Sequence, residues 1–247
     1  MRGDPRGRHP SLLRMSELVP HAEGLWAVAV PHRFLGLHLG TRMTVIRLPA
    51  GGLWLHSVVA VDDLLAKEIQ AKGPIEHIVM PNLYHHLYVT DAIQRWPSAR
   101  VHAPAAMRRK RPEVRIDAEL SERPDPEWGG VLTPVHIDGS VLDETVFVHR
   151  PTRTLVCADL VENFDSSPHL PTRLYLSAAG IRGRVGFSRF FRPAYRDRRA
   201  TRRSLERLLA LDFDRIVLTH GRVLEQGGPA AVREAYGWLK PAATTGG

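Results

Sequence analysis

The sequence has few of the features that mark secreted or membrane proteins. Its 247 residues include a single cysteine, Cys157, which excludes an internal disulfide and a multi-cysteine zinc site. No apolar run reaches the ~18 residues that a transmembrane helix needs, and the first residues lack the apolar segment of a secretory signal. We therefore expect a cytoplasmic protein that has no membrane partner.

The composition fits one large α/β domain. Apolar residues make up 43% of the chain, which is enough for a sizeable core. We expect a single domain over residues 18–240, a disordered extension over residues 1–17 and a flexible tail over residues 241–247. Met15 is an alternative start within the polar, basic extension.

Positive charge is in excess, with a net charge of +8. Arginines concentrate in Arg108–Arg115 and Arg182–Arg203, and clusters of this kind neutralise phosphates. No nucleic-acid-binding motif lies beside them, so a small anionic substrate is favoured over nucleic acid as the partner. Nothing in the sequence indicates the oligomeric state.

Apolar periodicity predicts strands and helices in two similar successions. The predicted strands cover residues 24–30, 41–48, 52–59, 76–80, 100–103, 131–138, 145–149, 155–158 and 213–219. The predicted helices cover residues 62–72, 89–95, 202–211 and 230–239. Two such halves indicate an α/β protein in which two sheets lie between helices.

Metal-ligating side chains follow three of these strands. Asp159 ends the apolar strand 155–158, His220 precedes Gly221 at the end of the strand 213–219, and a loop with two adjacent histidines follows the strand 76–80. Sheet proteins commonly place their chemistry at such strand ends. Two alternatives stay open, because Asp159 also suits a turn cap and His220 a packed strand end.

Several stretches resemble the DUF4336 group of the metallo-β-lactamase fold superfamily. The similar stretches are Phe34–Leu48 (FLGLHLGTRMTVIRL), Gly51–Ser57 (GGLWLHS), Gly73–His86 (GPIEHIVMPNLYHH), Glu144–Leu160 (ETVFVHRPTRTLVCADL) and Leu218–Gly221 (LTHG). The resemblance implies a four-layer αββα sandwich with two mixed sheets between helices. It also implies a site for one or two metal ions at one edge of the sandwich.

The loop after the strand 76–80 departs from the superfamily pattern, in which active members carry His-x-His-x-Asp-His. Here Asn82 and Tyr84 fall where the first two histidines would be, and His86 falls where the aspartate would be. His85 has no direct counterpart. The departure favours one ion over two, and loss of metal binding is the alternative.

The resemblance also supplies a ligand set. Asp159 matches the bridging aspartate and His220 the last histidine, while Glu144 ranks slightly above His136 for the remaining position. The predicted metal ligands are His85, His86, Glu144, Asp159 and His220. Their nitrogen and oxygen atoms suit zinc, iron or manganese.

We therefore predict a metal-dependent hydrolase of an anionic ester, lactone, thioester or phosphoester, with Asp159 and His86 as the catalytic residues. The first alternative is a non-catalytic binding protein that has lost its metal ligands. The second is an iron-dependent oxidoreductase on the same fold.

One segment remains, Ser177–Arg203, which we call the arginine-rich segment. It holds nine arginines among aromatic residues, and its glycines predict a mobile flap over the site that binds an anionic substrate. The alternative is a surface element whose aromatic side chains face the core and whose arginines face water.

Overall fold

The computed structural model describes residues 17–239. The predicted extension (1–17) and tail (241–247) lie outside these residues except for residue 17, so the proposed domain boundaries stay a prediction. Within the described range, no helix combines the length and the apolarity that crossing a bilayer requires.

Strands dominate the described chain, and they are numbered here in chain order. The strands are β1 (Val19–Ala22), β2 (Leu25–Val30), β3 (Arg33–Phe34), β4 (Leu37–His38), β5 (Thr41–Arg47), β6 (Leu53–His56), β7 (Ile75–Val79), β8 (Arg100–Ala103), β9 (Ala118–Glu119), β10 (Leu132–His136), β11 (Thr145–His149), β12 (Thr154–Cys157), β13 (Glu162–Phe164), β14 (Arg184–Gly186) and β15 (Arg215–Leu218). The α-helices are α1 (Asp63–Gln70), α2 (Val89–Arg95), α3 (Met107–Lys110), α4 (Leu170–Ala179), α5 (Arg198–Leu209) and α6 (Gly228–Ala235).

The strands form two main sheets, both mixed. The larger has the order β1-β2-β5-β6-β7-β8-β9, antiparallel as far as β6 and parallel from there on. The smaller has the order β10-β11-β12-β15, in which β12 and β15 are parallel. Two short two-stranded sheets, the β3–β4 hairpin and the β13–β14 pair, lie outside these sheets.

Side-chain alternation along the strands separates the layers. In β12, Leu155 and Cys157 pack towards the outer helices, whereas Val156 packs between the two sheets. Trp54 of β6 and Phe147 of β11 meet in that inner layer, with ring centroids 4.9 Å apart. Successive strand residues point to opposite faces, so one apolar strand serves both layers.

Helices cover the outer faces of both sheets. Leu65 and Ile69 of α1 pack on the larger sheet, while Leu208 of α5 and Val232 of α6 pack on the smaller one. The layers therefore run helix, sheet, sheet, helix. The predicted α/β sandwich with two mixed sheets between helices is confirmed.

Three helix predictions differ from the structure, and the simplest case is α6, which covers Gly228–Ala235 rather than residues 230–239. Helix α5 begins at Arg198 rather than at residue 202, because the carboxylate of Asp197 caps it by accepting the N–H groups of Arg199 and Ala200. Helix α4 was not predicted. Its apolar stripe is short, and Gly180, which caps its C-terminus, adopts a φ of 77°, which a glycine tolerates without strain.

The arginine-rich segment is built into the fold rather than forming one continuous loop. It contains the end of α4, strand β14, a 3₁₀ turn over Arg189–Ala194 and the start of α5. Strand β14 pairs with β13, and the side chains of Phe187 and Tyr195 are buried in the core of the smaller sheet. The burial of these two aromatics agrees with the alternative interpretation of the segment.

Candidate metal centre

The carboxyl ends of three strands meet at one edge of the sandwich. Strands β12 and β15 are parallel neighbours with Cys157 opposite Leu218, so Asp159 and His220 leave the sheet side by side. The loop after β7 reaches the same edge from the larger sheet. It is attached to the smaller sheet where the Pro81 carbonyl accepts the N–H of Thr145 at 2.9 Å.

His85, Asp159 and His220 form a compact group, the His–Asp–His cluster. Asp159 Oδ1 lies 3.2 Å from His85 Nε2 and 3.4 Å from His220 Nε2. One donor atom from each side chain lies within 4.8 Å of the other two. Two imidazoles and one carboxylate therefore present their donor atoms to a common point.

Both histidines are oriented through their other ring nitrogen. His220 Nδ1 lies 2.8 Å from the carbonyl oxygen of Gly40, and His85 Nδ1 lies 2.7 Å from Ser57 Oγ. A carbonyl only accepts, so the Nδ1 of His220 carries the hydrogen. These contacts leave each Nε2 facing Asp159, an arrangement typical of metal-binding histidines.

Asn82, at the position of an expected histidine, organises the cluster. Its Oδ1 accepts the backbone N–H groups of Tyr84 and His85 at 2.8 and 3.0 Å, which turns the loop and aims His85 at the cluster. Its Nδ2 donates to Asp159 Oδ2 at 2.8 Å. The asparagine thus positions two members of the cluster at once.

Comparisons with known proteins agree with this architecture. Residues 22–107 match the family described as "Domain of unknown function (DUF4336)". The match covers about a third of the chain, so over these residues the chain is similar to that family. Among curated proteins, none matches the sequence significantly.

Solved structures similar to this chain include metallo-β-lactamases. The enzyme from Pontibacter korlensis has a TM-score of 0.66 at 15% identity, covering 91% of this chain and 98% of its own. The one from Hirschia baltica has a TM-score of 0.62 at 15% identity, covering 93% and 100%. That from Erythrobacter litoralis, with β-mercaptoethanol in its active site, has a TM-score of 0.65 at 12% identity, covering 92% and 96%. At such low identity the likeness establishes the metallo-β-lactamase fold alone.

The His–Asp–His cluster is electrostatically paired. Burial raises the pKa of Asp159, but the charges and hydrogen bonds of His85 and His220 outweigh it and hold that pKa well below its usual range. Burial lowers the pKa of His220, yet Asp159 outweighs this effect and raises it. Without a metal the cluster is therefore a carboxylate beside an imidazole that tends to hold its second proton, which a metal ion would have to displace.

Glu144 lies behind the cluster and not within it. Its Oε1 accepts the N–H of Ala158 at 2.8 Å and that of Asp159 at 3.1 Å. Burial and the neighbouring charge of Asp159 raise the pKa of Glu144 to about 8. The structure does not bring this predicted ligand to the other donors, because its carboxyl group is taken up by the backbone that carries Asp159.

His86 is also separated from the cluster. Its Nδ1 lies 2.7 Å from Arg111 Nη1, so the ring accepts from the guanidinium and turns away from His85. Burial, followed by the charges of Lys110 and Arg111, lowers the pKa of His86. The structure places this predicted ligand and catalytic residue in the pocket wall. The other candidate, His136, lies 3.5 Å from Asp143 and outside the cluster.

A cavity of about 300 Å³ opens above the cluster. His85, Asp159 and His220 lie in its floor, and its walls come from the β3–β4 hairpin, the loop after β7, the β10–β11 connection and the arginine-rich segment. From that segment the walls take Phe187, Phe191 and Ala194. Its arginines are absent from the lining formed by the described residues, and the anion-binding flap stays a prediction.

Glu162 is a pocket residue that the sequence interpretation missed. It is the first residue of β13, and its Oε2 is buried with no hydrogen-bond partner within residues 17–239. Burial raises its pKa to about 7. A glutamate three residues after Asp159 was a visible signal, but its burial depends on the pairing of β13 with β14.

Stability of the metal-free protein should fall as the pH rises from 4.5 to 7, partly because of Glu162. The unfolded carboxyl loses its proton near pH 4.5, whereas the folded one keeps its proton until about pH 7. Glu162→Gln should remove this loss of stability, which amounts to about 3 kcal/mol of unfolding free energy above pH 7. Urea denaturation with a chelator present, at several pH values, measures it.

The matched control is Glu206→Gln, at an exposed position of α5. It should preserve the wild-type pH dependence. Identical pH profiles for the two variants would contradict the buried, proton-retaining state of Glu162.

Proposed function

We propose that this protein is a metal-dependent hydrolase whose single ion is held by His85, Asp159 and His220. The observation that carries the proposal is the convergence of two Nε2 atoms and one carboxylate oxygen in the floor of a pocket. Three protein ligands with one position left open are typical of catalytic zinc sites.

The spacing of the donor atoms fits an ion. Bonds of about 2.1 Å in tetrahedral geometry put neighbouring ligand atoms about 3.4 Å apart. The two separations measured from Asp159 Oδ1 are 3.2 and 3.4 Å. The same imidazole and carboxylate donors suit zinc, iron and manganese.

When bound, such an ion lowers the pKa of a coordinated water and polarises a carbonyl or phosphoryl oxygen, which suits hydrolysis of an ester, lactone, thioester or phosphoester. Other residues of the chain orient the three ligands. Ser57 and Gly40 hold the two imidazoles, and Asn82 holds Asp159. Phe187 and Phe191 help to exclude bulk water from the pocket.

A second candidate is an iron-dependent oxidoreductase, because two histidines and one carboxylate are also the ligand set of non-haem iron(II) enzymes. The identity of the metal distinguishes the two functions. Retained zinc supports hydrolysis, and retained iron with oxygen consumption supports redox chemistry.

The test is elemental analysis of protein purified without an affinity tag, together with hydrolysis of chromogenic esters before and after chelation. We expect about one metal ion per chain and a loss of hydrolysis on chelation that added zinc, iron or manganese reverses. Undiminished hydrolysis after metal removal would overturn the proposal. So would failure of the purified protein to bind any of the three metals on addition.

A further inference from the structure

The walls of the pocket above the His–Asp–His cluster are apolar. Aromatic and aliphatic side chains reach it from four separate parts of the chain, including Phe34, Leu87, Leu142 and Phe191. Its polar side chains include Asp159 and His220 of the cluster and a few others, such as Thr41 and Tyr84. A ligand that reaches the cluster therefore meets mostly apolar surface on the way.

Several of these wall residues are also exposed at the mouth. Phe34, Leu87 and Phe191 keep 45%, 58% and 42% of their surface accessible. Clustered exposed apolar side chains around a cavity mark binding surfaces, because water contact with them is unfavourable. These exposed side chains extend the apolar binding surface beyond the cavity.

The charges of the lining argue against an anionic group along the pocket walls. Among the described residues that line the pocket, none is lysine or arginine, although the chain has 34 of them. Two carboxyl groups, those of Asp159 and Glu162, do line it. Away from the cluster, where His220 tends to hold its second proton, a buried anionic group would lose its hydration without gaining a cationic side chain, and that loss is costly.

We propose that the pocket binds the apolar acyl or alkyl part of an uncharged ester, lactone or thioester, with the reacting carbonyl at the His–Asp–His cluster. The inference rests on the proposed function and names its substrate class. It replaces the anionic substrate predicted from the arginines, which contribute no side chain to the described lining.

Binding without turnover tests the inference independently of the metal. Calorimetric titration of the chelator-treated protein uses 2-decanone as an uncharged, non-hydrolysable mimic and octyl phosphate as an anion of similar length. We expect the ketone to bind more tightly than the phosphate, with the negative heat-capacity change of apolar burial. Tighter binding of the phosphate, or no binding of the ketone, would overturn the inference.

A pair of leucine variants locates the binding. Leu87→Asp should weaken ketone binding on the order of tenfold or more, because it removes apolar contact and adds a charge to the wall. Leu64→Asp is the matched control, since Leu64 lies on α1, is 64% exposed and does not line the pocket. Equal affinities of the two variants would overturn the assignment.

The two proposals fail separately. Absence of metal binding would overturn the hydrolase and leave ketone binding as measured. Metal-dependent hydrolysis without ketone binding would overturn only the apolar substrate.

Discussion

Replacing Asp159 with alanine is expected to lower the affinity for zinc by roughly 100-fold or more, the largest effect of any single change at the centre. Asp159 supplies the carboxylate oxygen shared by both histidine contacts, and it is the negatively charged member of the cluster. Its loss would leave two imidazoles without a charge-neutralising ligand. Titration with zinc in competition with a chromogenic chelator measures the affinity.

Asn82→Ala is expected to lower the affinity for zinc less than Asp159→Ala does. It keeps the three ligands but removes the Nδ2 donor of Asp159 and the acceptor that turns the loop before His85. Loss of such an orienting residue costs about tenfold in metal affinity. Equal affinity in the Asp159 and Asn82 variants, or a wild-type value for both, would contradict the assignment of Asp159 as a ligand.

Glu144→Ala is expected to destabilise the fold by about 3 kcal/mol, measured by urea denaturation. Glu144 is buried, and its carboxyl group accepts the N–H groups of Ala158 and Asp159. Alanine would leave both N–H groups without a partner and open a cavity beneath the cluster.

Glu144→Gln should cost about 1 kcal/mol or less, because the amide keeps the size and one acceptor oxygen of the side chain. Burial and the charge of Asp159 raise the pKa of Glu144, so the site favours a neutral side chain. Glu206→Ala, on the exposed face of α5, is the control and should change stability by less than about 0.5 kcal/mol. A Glu144→Ala variant as stable as that control would show that the two N–H groups do not depend on the carboxyl group.

The layered fold could be predicted because each layer leaves a local signal. Apolar runs such as Leu155–Ala158 are long enough for a strand and too short for a helix, and the structure has a strand at Thr154–Cys157. Helix α1 was similarly visible from apolar spacing, with Asp62 capping its first turn by accepting the N–H of Leu65. Helix α4 was missed because its packing partners, Phe164 and Ile181, are contributed by segments outside it.

The candidate site could be predicted only in part. Asp159 and His220 were predicted to approach each other because each follows an apolar strand, and the parallel pairing of β12 with β15 brings them side by side. The choice between His85 and His86 was beyond local reasoning. It depends on Asn82, which turns the loop towards Asp159, and on Arg111, which holds His86 away.

The residues that support the site were missed for the same reason. Gly40, Ser57 and Glu162 were not predicted as site residues, because each matters through a partner or a burial that folding creates. In the arginine-rich segment, the composition drew attention to the arginines and predicted an anion site. The packing of the segment places its aromatic side chains in the pocket and the core.

The sequence alone predicted the α/β sandwich and the strand ends that carry the candidate chemistry. It also excluded a multi-cysteine zinc site. These are properties of local apolar periodicity and of residue counts, which need no knowledge of distant contacts. Only the folded chain decides which donor atoms converge, which carboxyl group stays protonated and which side chains line the pocket. Burial, charge pairing and hydrogen bonding act over a few ångströms, and only folding brings residues so far apart in the sequence within that range.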